Sequence, residues 1–188
     1  MKKKLPIFLL VDRSGSMYGD KIDVVNSSIS NFINSLKKVK IYDIFLSIIS
    51  FSTEAEIILD FKLLSEIKYS PLIADGKTKF SEAIKLMREM FSDLALENSL
   101  YPEVILISDG TPTDFNDWRY EVNELIKLDI SKGANFNAVF IGDDDGATFI
   151  NKFLENVNKT HKNKVFLASD IMYIKDFFNN LEIKIKEV

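Results

Sequence analysis

Cysteine is absent from this 188-residue sequence, histidine occurs once, as His161, and proline occurs four times. Without cysteine there are no disulfides, thiolate zinc sites, iron–sulfur clusters or cysteine nucleophile. That absence is compatible with the cytosol, where the protein is expected to reside. A single histidine rules out any site that needs two from one chain. Long apolar runs are also missing, and none approaches the ~20 residues that span a bilayer. Lys2, Lys3 and Lys4 before the apolar run Leu5–Val11 look briefly like a signal peptide. Asp12 and Arg13 end that run, and no small-residue cleavage site follows. No basic stripe lies beyond these first residues and the net charge is −4. There is therefore no general attraction to nucleic acid or to an anionic membrane.

Hydrophobic residues make up 46% and charged residues 28%. These values suit a globular protein, and the expectation is a single domain over residues 1–188. Apolar runs of strand length alternate with amphipathic stretches of helix length. Strands are expected at Leu5–Val11, Ile44–Phe51, Ala55–Leu59, Glu103–Ser108, Phe136–Ile141 and Val165–Leu167. The short turn Ser52–Glu54 makes the second and third of these a hairpin. Helices are expected over Asp20–Lys37, Lys79–Leu96, the stretch around Trp118–Ile126, Thr148–Glu155 and Asp170–Glu182. Asp114 stands where it would cap the Trp118 helix. Phe61–Gly76 carries no clear period. Strand alternating with helix implies a three-layer α/β/α domain: a mixed, mostly parallel sheet of about six strands with one antiparallel edge strand.

Ligands of such sheets sit beyond the carboxyl ends of strands. There the sequence places three polar loops: Asp12-Arg13-Ser14-Gly15-Ser16, Gly76-Lys77-Thr78, and Asp109-Gly110-Thr111-Pro112-Thr113-Asp114. They offer the carboxylates of Asp12 and Asp109 and the hydroxyls of Ser14, Ser16 and Thr78. These are hard oxygen ligands of the kind Mg²⁺ and Mn²⁺ prefer. Two carboxylates balance a dication without overbalancing it. The metal then remains electrophilic enough to exchange a water for an outside carboxylate.

Asp-x-Ser-x-Ser after the first strand, a later Thr before a helix and an Asp ending a central strand resemble the metal-ion-dependent adhesion site of von Willebrand factor A-type domains. The order of strands and helices agrees along nearly the whole chain. Phe8–Met17 and Ile107–Asp114 resemble in particular the bacterial stand-alone proteins of the tellurite-resistance TerY-like group. By that resemblance Ser14 and Ser16 bind Mg²⁺ (or Mn²⁺ or Ca²⁺) directly, Thr78 directly or through water, and Asp12 and Asp109 mostly through water. The implied function is metal-dependent binding of an acidic side chain on a partner protein, within a tellurite-resistance or stress-response system. Kinase-like or phosphatase-like proteins of the same system are the implied partners. In related domains an acidic ligand shifts the metal loops and the last helix; here Ile174, Phe177 and Phe178 would repack. One departure is that Thr78 lies in Asp75-Gly76-Lys77-Thr78-Lys79, flanked by lysines, where relatives often carry Gly-Gly-Thr.

Other readings are weaker. A metal-dependent phosphohydrolase would use Asp12 as nucleophile, but haloacid-dehalogenase-type enzymes carry a second aspartate two residues on, where this chain has Ser14. A Ser-His-Asp hydrolase lacks its Gly-x-Ser-x-Gly elbow. A scaffold with a vestigial site does not explain five oxygen-bearing residues. No enzymatic activity is expected. Asp143-Asp144-Asp145-Gly146 lacks the alternating ligands of a calcium loop and reads as a solvated loop. His161 reads as an exposed loop residue.

Overall fold

The computed structural model describes residues 2–94, 97–114, 117–142, 144–157, 165–168 and 172–187. The strands are β1 (Lys3–Asp12), β2 (Tyr42–Phe51), β3 (Ala55–Leu63), β4 (Glu103–Ser108), β5 (Asn135–Ile141) and β6 (Val165–Ala168). The helices are α1 (Asp20–Leu36), α2 (Phe80–Asp93), α3 (Asp117–Leu125), α4 (Asp129–Gly133), α5 (Asp144–Val157) and α6 (Met172–Glu187). The sheet runs in the order β3-β2-β1-β4-β5-β6. Every pairing is parallel except the edge hairpin of β2 with β3.

The central strands β1 and β4 are apolar along most of their length because both faces are covered, whereas the edge strand β3 carries Glu56, Asp60 and Lys62 and is largely exposed. Alternation sends Leu5, Ile7, Leu9 and Val11 of β1 to a core under α1 and α6. Phe8 and Leu10 of the same strand go to a second core under α2, α3 and α5. Phe80, at the start of α2, lies within ring-contact range of Phe51, Trp118, Phe149 and Phe153, which ties that second layer together.

Several expected boundaries move. β3 continues past Leu59 to Leu63 because Phe61, despite a φ of +32°, stacks on Phe45 and Phe8 at ring distances of 5.1 and 5.9 Å. α5 begins at Asp144 rather than Thr148, so part of the acidic run expected as a loop lies within a helix. α4 was not expected at all; its five residues are too few to show a period. Residues 95 and 96 of the expected second helix, Asp143, the side chains of Asp144, Asp145 and Gly146, and His161 lie outside the described residues.

Among the described residues the Asp114 side chain bonds to a different helix from the one it was expected to cap. Its carboxylate accepts hydrogen bonds from the N–H groups of Phe80 (3.1 Å) and Ser81 (2.7 Å), so it caps α2 from a distant loop. At the described start of α3 its backbone carbonyl accepts from the Asp117 N–H. The first N–H groups of any helix lack intrahelical partners, and Lys79, which precedes α2, gives it no side-chain cap. The Asp114 carboxylate, from the loop after β4, supplies the missing acceptor.

Candidate metal centre

The chain runs outward from β1 to β2 on one side and later to β4 on the other. The connections therefore diverge between β1 and β4, and a crevice opens at their carboxyl ends. Asp12 ends β1 and Asp109 follows β4. Val11 pairs with Ile107, which sets Asp12 beside Ser108.

Asp12 is fully buried. Its Oδ1 accepts the Ser14 N–H at 2.8 Å and its Oδ2 accepts the Ser108 hydroxyl at 2.6 Å. Burial pushes its carboxyl up to about 6, against the opposing pull of the bonds from Ser108 and Ser14. The Ser14 and Ser16 hydroxyls are 3.0 Å apart, and the Ser16 hydroxyl donates to Asp109 Oδ1 at 2.7 Å. Asp109 Oδ2 receives the ammonium of Lys21. Asp12, Ser14, Ser16 and Asp109 are thus linked by hydrogen bonds, Asp12 through the Ser14 backbone N–H and the other three through their side-chain oxygens.

Thr78 is held beside these four residues but is not bonded to them. Its carbonyl accepts from the N–H of Thr113 (2.8 Å) and from the Thr113 hydroxyl (3.2 Å). Backbone bonds lace its loop to the first loop: Asp75 N–H to the Arg13 carbonyl at 2.8 Å and Gly15 N–H to the Gly76 carbonyl at 3.0 Å. Gly76 has φ +73°, and a Cβ there would stand 2.4 Å from the Thr53 hydroxyl, so the close turn needs glycine. Upstream, Asn26 of α1 pins the same irregular segment. Its amide accepts from Leu72 N–H and the Tyr69 hydroxyl and donates to the Leu72 carbonyl. Arg13 completes the frame through Asp75 (2.9 Å) and Glu56 (3.4 Å).

The donor set fits a hard divalent cation. The buried Asp12 carboxylate is bonded only to neutral donors and has no ion pair among the described residues. A cation beside it would supply the missing counter-charge. Among the described residues no three or more His, Cys, Asp or Glu side chains gather to make a different kind of metal site. Sequence reasoning missed Ser108, Lys21 and the role of Asp114. Ser108 is the polar end of an otherwise apolar strand core. Lys21 is a cation in the first turn of a helix, where the dipole favours anions; each is a local anomaly that calls for a partner.

The family model for the von Willebrand factor type A domain matches residues 7–180. The chain belongs to this family. Members of the family typically mediate metal-dependent protein interactions. Solved structures share the vWA fold at low identity. The PilB minor pilin from Streptococcus sanguinis is 14% identical with a TM-score of 0.74, covering 99% of this chain and 62% of that one. The pilus adhesin SpaC from Lactobacillus rhamnosus GG is 16% identical with a TM-score of 0.75, covering 98% and 31%. A von Willebrand factor type A protein from Catenulispora acidiphila is 13% identical with a TM-score of 0.68, covering 98% and 43%. The present vWA chain thus spans less than two thirds of each of these proteins. No curated protein sequence matches it. Among the described residues no helix is long and apolar enough to cross a membrane.

Proposed function

We propose that this vWA domain is a metal-dependent protein-binding module. Asp12, Ser14, Ser16, Thr78 and Asp109 would hold one Mg²⁺, or Mn²⁺ or Ca²⁺ in its place. The ion would supply an electrophilic position for an Asp or Glu side chain of a partner protein. The observation that carries this reading is the buried Asp12 carboxylate, held by neutral donors next to the Ser14–Ser16–Asp109 chain. The two most exposed large apolar side chains among the described residues also favour a docking face. Tyr18 (79% exposed) follows the first metal loop and Ile73 (78%) precedes the second. Apolar side chains around a desolvated charged contact are common in protein interfaces. The resemblance of the two metal-loop stretches to TerY-like proteins supports extending this proposal to a role in a cytoplasmic tellurite-resistance or stress-response system, with kinase-like or phosphatase-like partners.

A phosphohydrolase using Asp12 finds no support. That carboxylate is fully buried at the end of β1, out of reach of an attacking geometry on a phosphoryl group.

Thr78→Val tests the metal site. The Thr78 hydroxyl makes no hydrogen bond to the other four site residues, so the substitution should leave stability within about 0.5 kcal/mol of wild type. Calorimetric titration should nevertheless show weaker Mg²⁺ or Mn²⁺ binding, and Asp12→Ala should abolish it. Metal affinity that is equal in wild type, Thr78→Val and Asp12→Ala would refute the site. Loss of partner capture on adding chelator, and on changing the partner's contact Asp or Glu to its amide, would support the bridging role.

A further inference from the structure

The ammonium of Lys21 sits on Asp109 Oδ2, inside the group of residues assigned to the metal. The Asp109 side chain is 1% exposed and that of Lys21 35%, so the lysine reaches inward from the rim to a buried carboxylate. The position is not explained by helix chemistry. Lys21 is the second residue of α1, between Asp20 and Asp23, where the macrodipole favours the two aspartates and opposes the lysine. A cation kept in an unfavourable turn, and paired with a nearly buried carboxylate, points to a role for that pair. The two site carboxylates are also treated unequally. Asp12 is bonded to neutral donors only, whereas half of Asp109 is committed to an internal cation.

We propose that Lys21 is a tethered counter-cation that holds down the metal affinity of this site by neutralising Asp109. The proposal rests on the metal-site reading above. Two carboxylates alone would cancel a dication, whereas two carboxylates with one lysine leave one net positive charge. Lys21 therefore repels the incoming metal and, once the metal is held, strengthens its attraction for an anionic side chain. Metal binding in the free protein is then weak, and a partner's carboxylate completes the charge balance. Loss of one unit charge beside a dication shifts affinity by about tenfold or more, even at a dielectric near that of water.

The test is Mn²⁺ titration of the full chain as wild type, Lys21→Gln and Lys21→Arg, with thermal melts of each in chelator. Glutamine keeps a hydrogen-bond donor for Asp109 while removing the charge, and arginine keeps both. Lys21→Gln should bind Mn²⁺ about tenfold tighter than wild type and melt at a lower temperature in chelator, because Asp109 has lost its internal partner. Lys21→Arg should match wild type in both measurements. Mn²⁺ bound by Lys21→Gln but not detectably by wild type would also support the proposal. Wild type that binds Mn²⁺, with Lys21→Gln equal or weaker, overturns the role of Lys21 and leaves the metal site standing. No Mn²⁺ binding by any of the three chains overturns both.

Discussion

The Ser108 hydroxyl donates to Asp12 Oδ2 at 2.6 Å, joining the ends of β4 and β1, 96 positions apart in sequence. This bond and the Ser14 N–H account for both oxygens of a fully buried carboxylate. Ser108→Ala should therefore cost about 1–3 kcal/mol in urea denaturation at pH 7.5 with chelator present, the cost of leaving a buried acceptor unpaired. At pH 4.5 Asp12 carries a proton, so the loss should shrink. An equal loss at both pH values would show that the bond does not serve the charged carboxylate.

Asp12→Asn should raise stability in chelator at neutral pH. Burial lifts the Asp12 carboxyl from 3.8 to about 6, so between these values the folded protein holds a proton that the unfolded chain has released. The stability linked to that proton is complete below about pH 4 and is lost as pH rises through 6, a difference of about 3 kcal/mol. Asparagine has no such loss. In scanning calorimetry its melting midpoint should exceed that of wild type by about 6–12 °C at pH 7.5 and converge towards it near pH 4. Added Mg²⁺ should stabilise wild type and leave Asp12→Asn unchanged. A constant gap across this range would mean that Asp12 does not titrate as described.

Asp114→Ala should weaken metal binding without removing a ligand. The carboxylate caps α2 through Phe80 and Ser81, immediately after the loop that carries Thr78. Loss of a cap costs about 1–2 kcal/mol, and the freed helix end should let Thr78 wander. Denaturation and Mn²⁺ titration of the same variant check both effects. Lost stability with unchanged metal affinity would separate the cap from the site.

Much of this molecule was legible in the sequence because its determinants are local. Continuous apolar runs such as Leu5–Val11 mark strands covered on both faces, and three- and four-residue spacing marked α1 almost to its ends. Asp12, Ser14, Ser16 and Asp109 stood out as polar residues directly after buried strands, and the structure joins them in one hydrogen-bonded chain. Phe61–Gly76 stayed opaque because long-range contacts hold it, the stacking of Phe61 on Phe45 and the grip of Asn26 on Leu72, rather than any period of its own.

Sequence by itself determined the elements, their order and the oxygen-bearing residues at the strand ends, since periodicity and turn chemistry act within a few residues. Tertiary structure decided what those residues touch. The strand order set the crevice between β1 and β4, and the register of that pair put Ser108 against Asp12. Asp114 caps α2 from a distant loop, and Lys21 reaches Asp109 across 88 positions. Such partners are chosen by which buried carboxylate or helix end lies nearest in space once both layers have packed, and no local pattern in the chain encodes that distance.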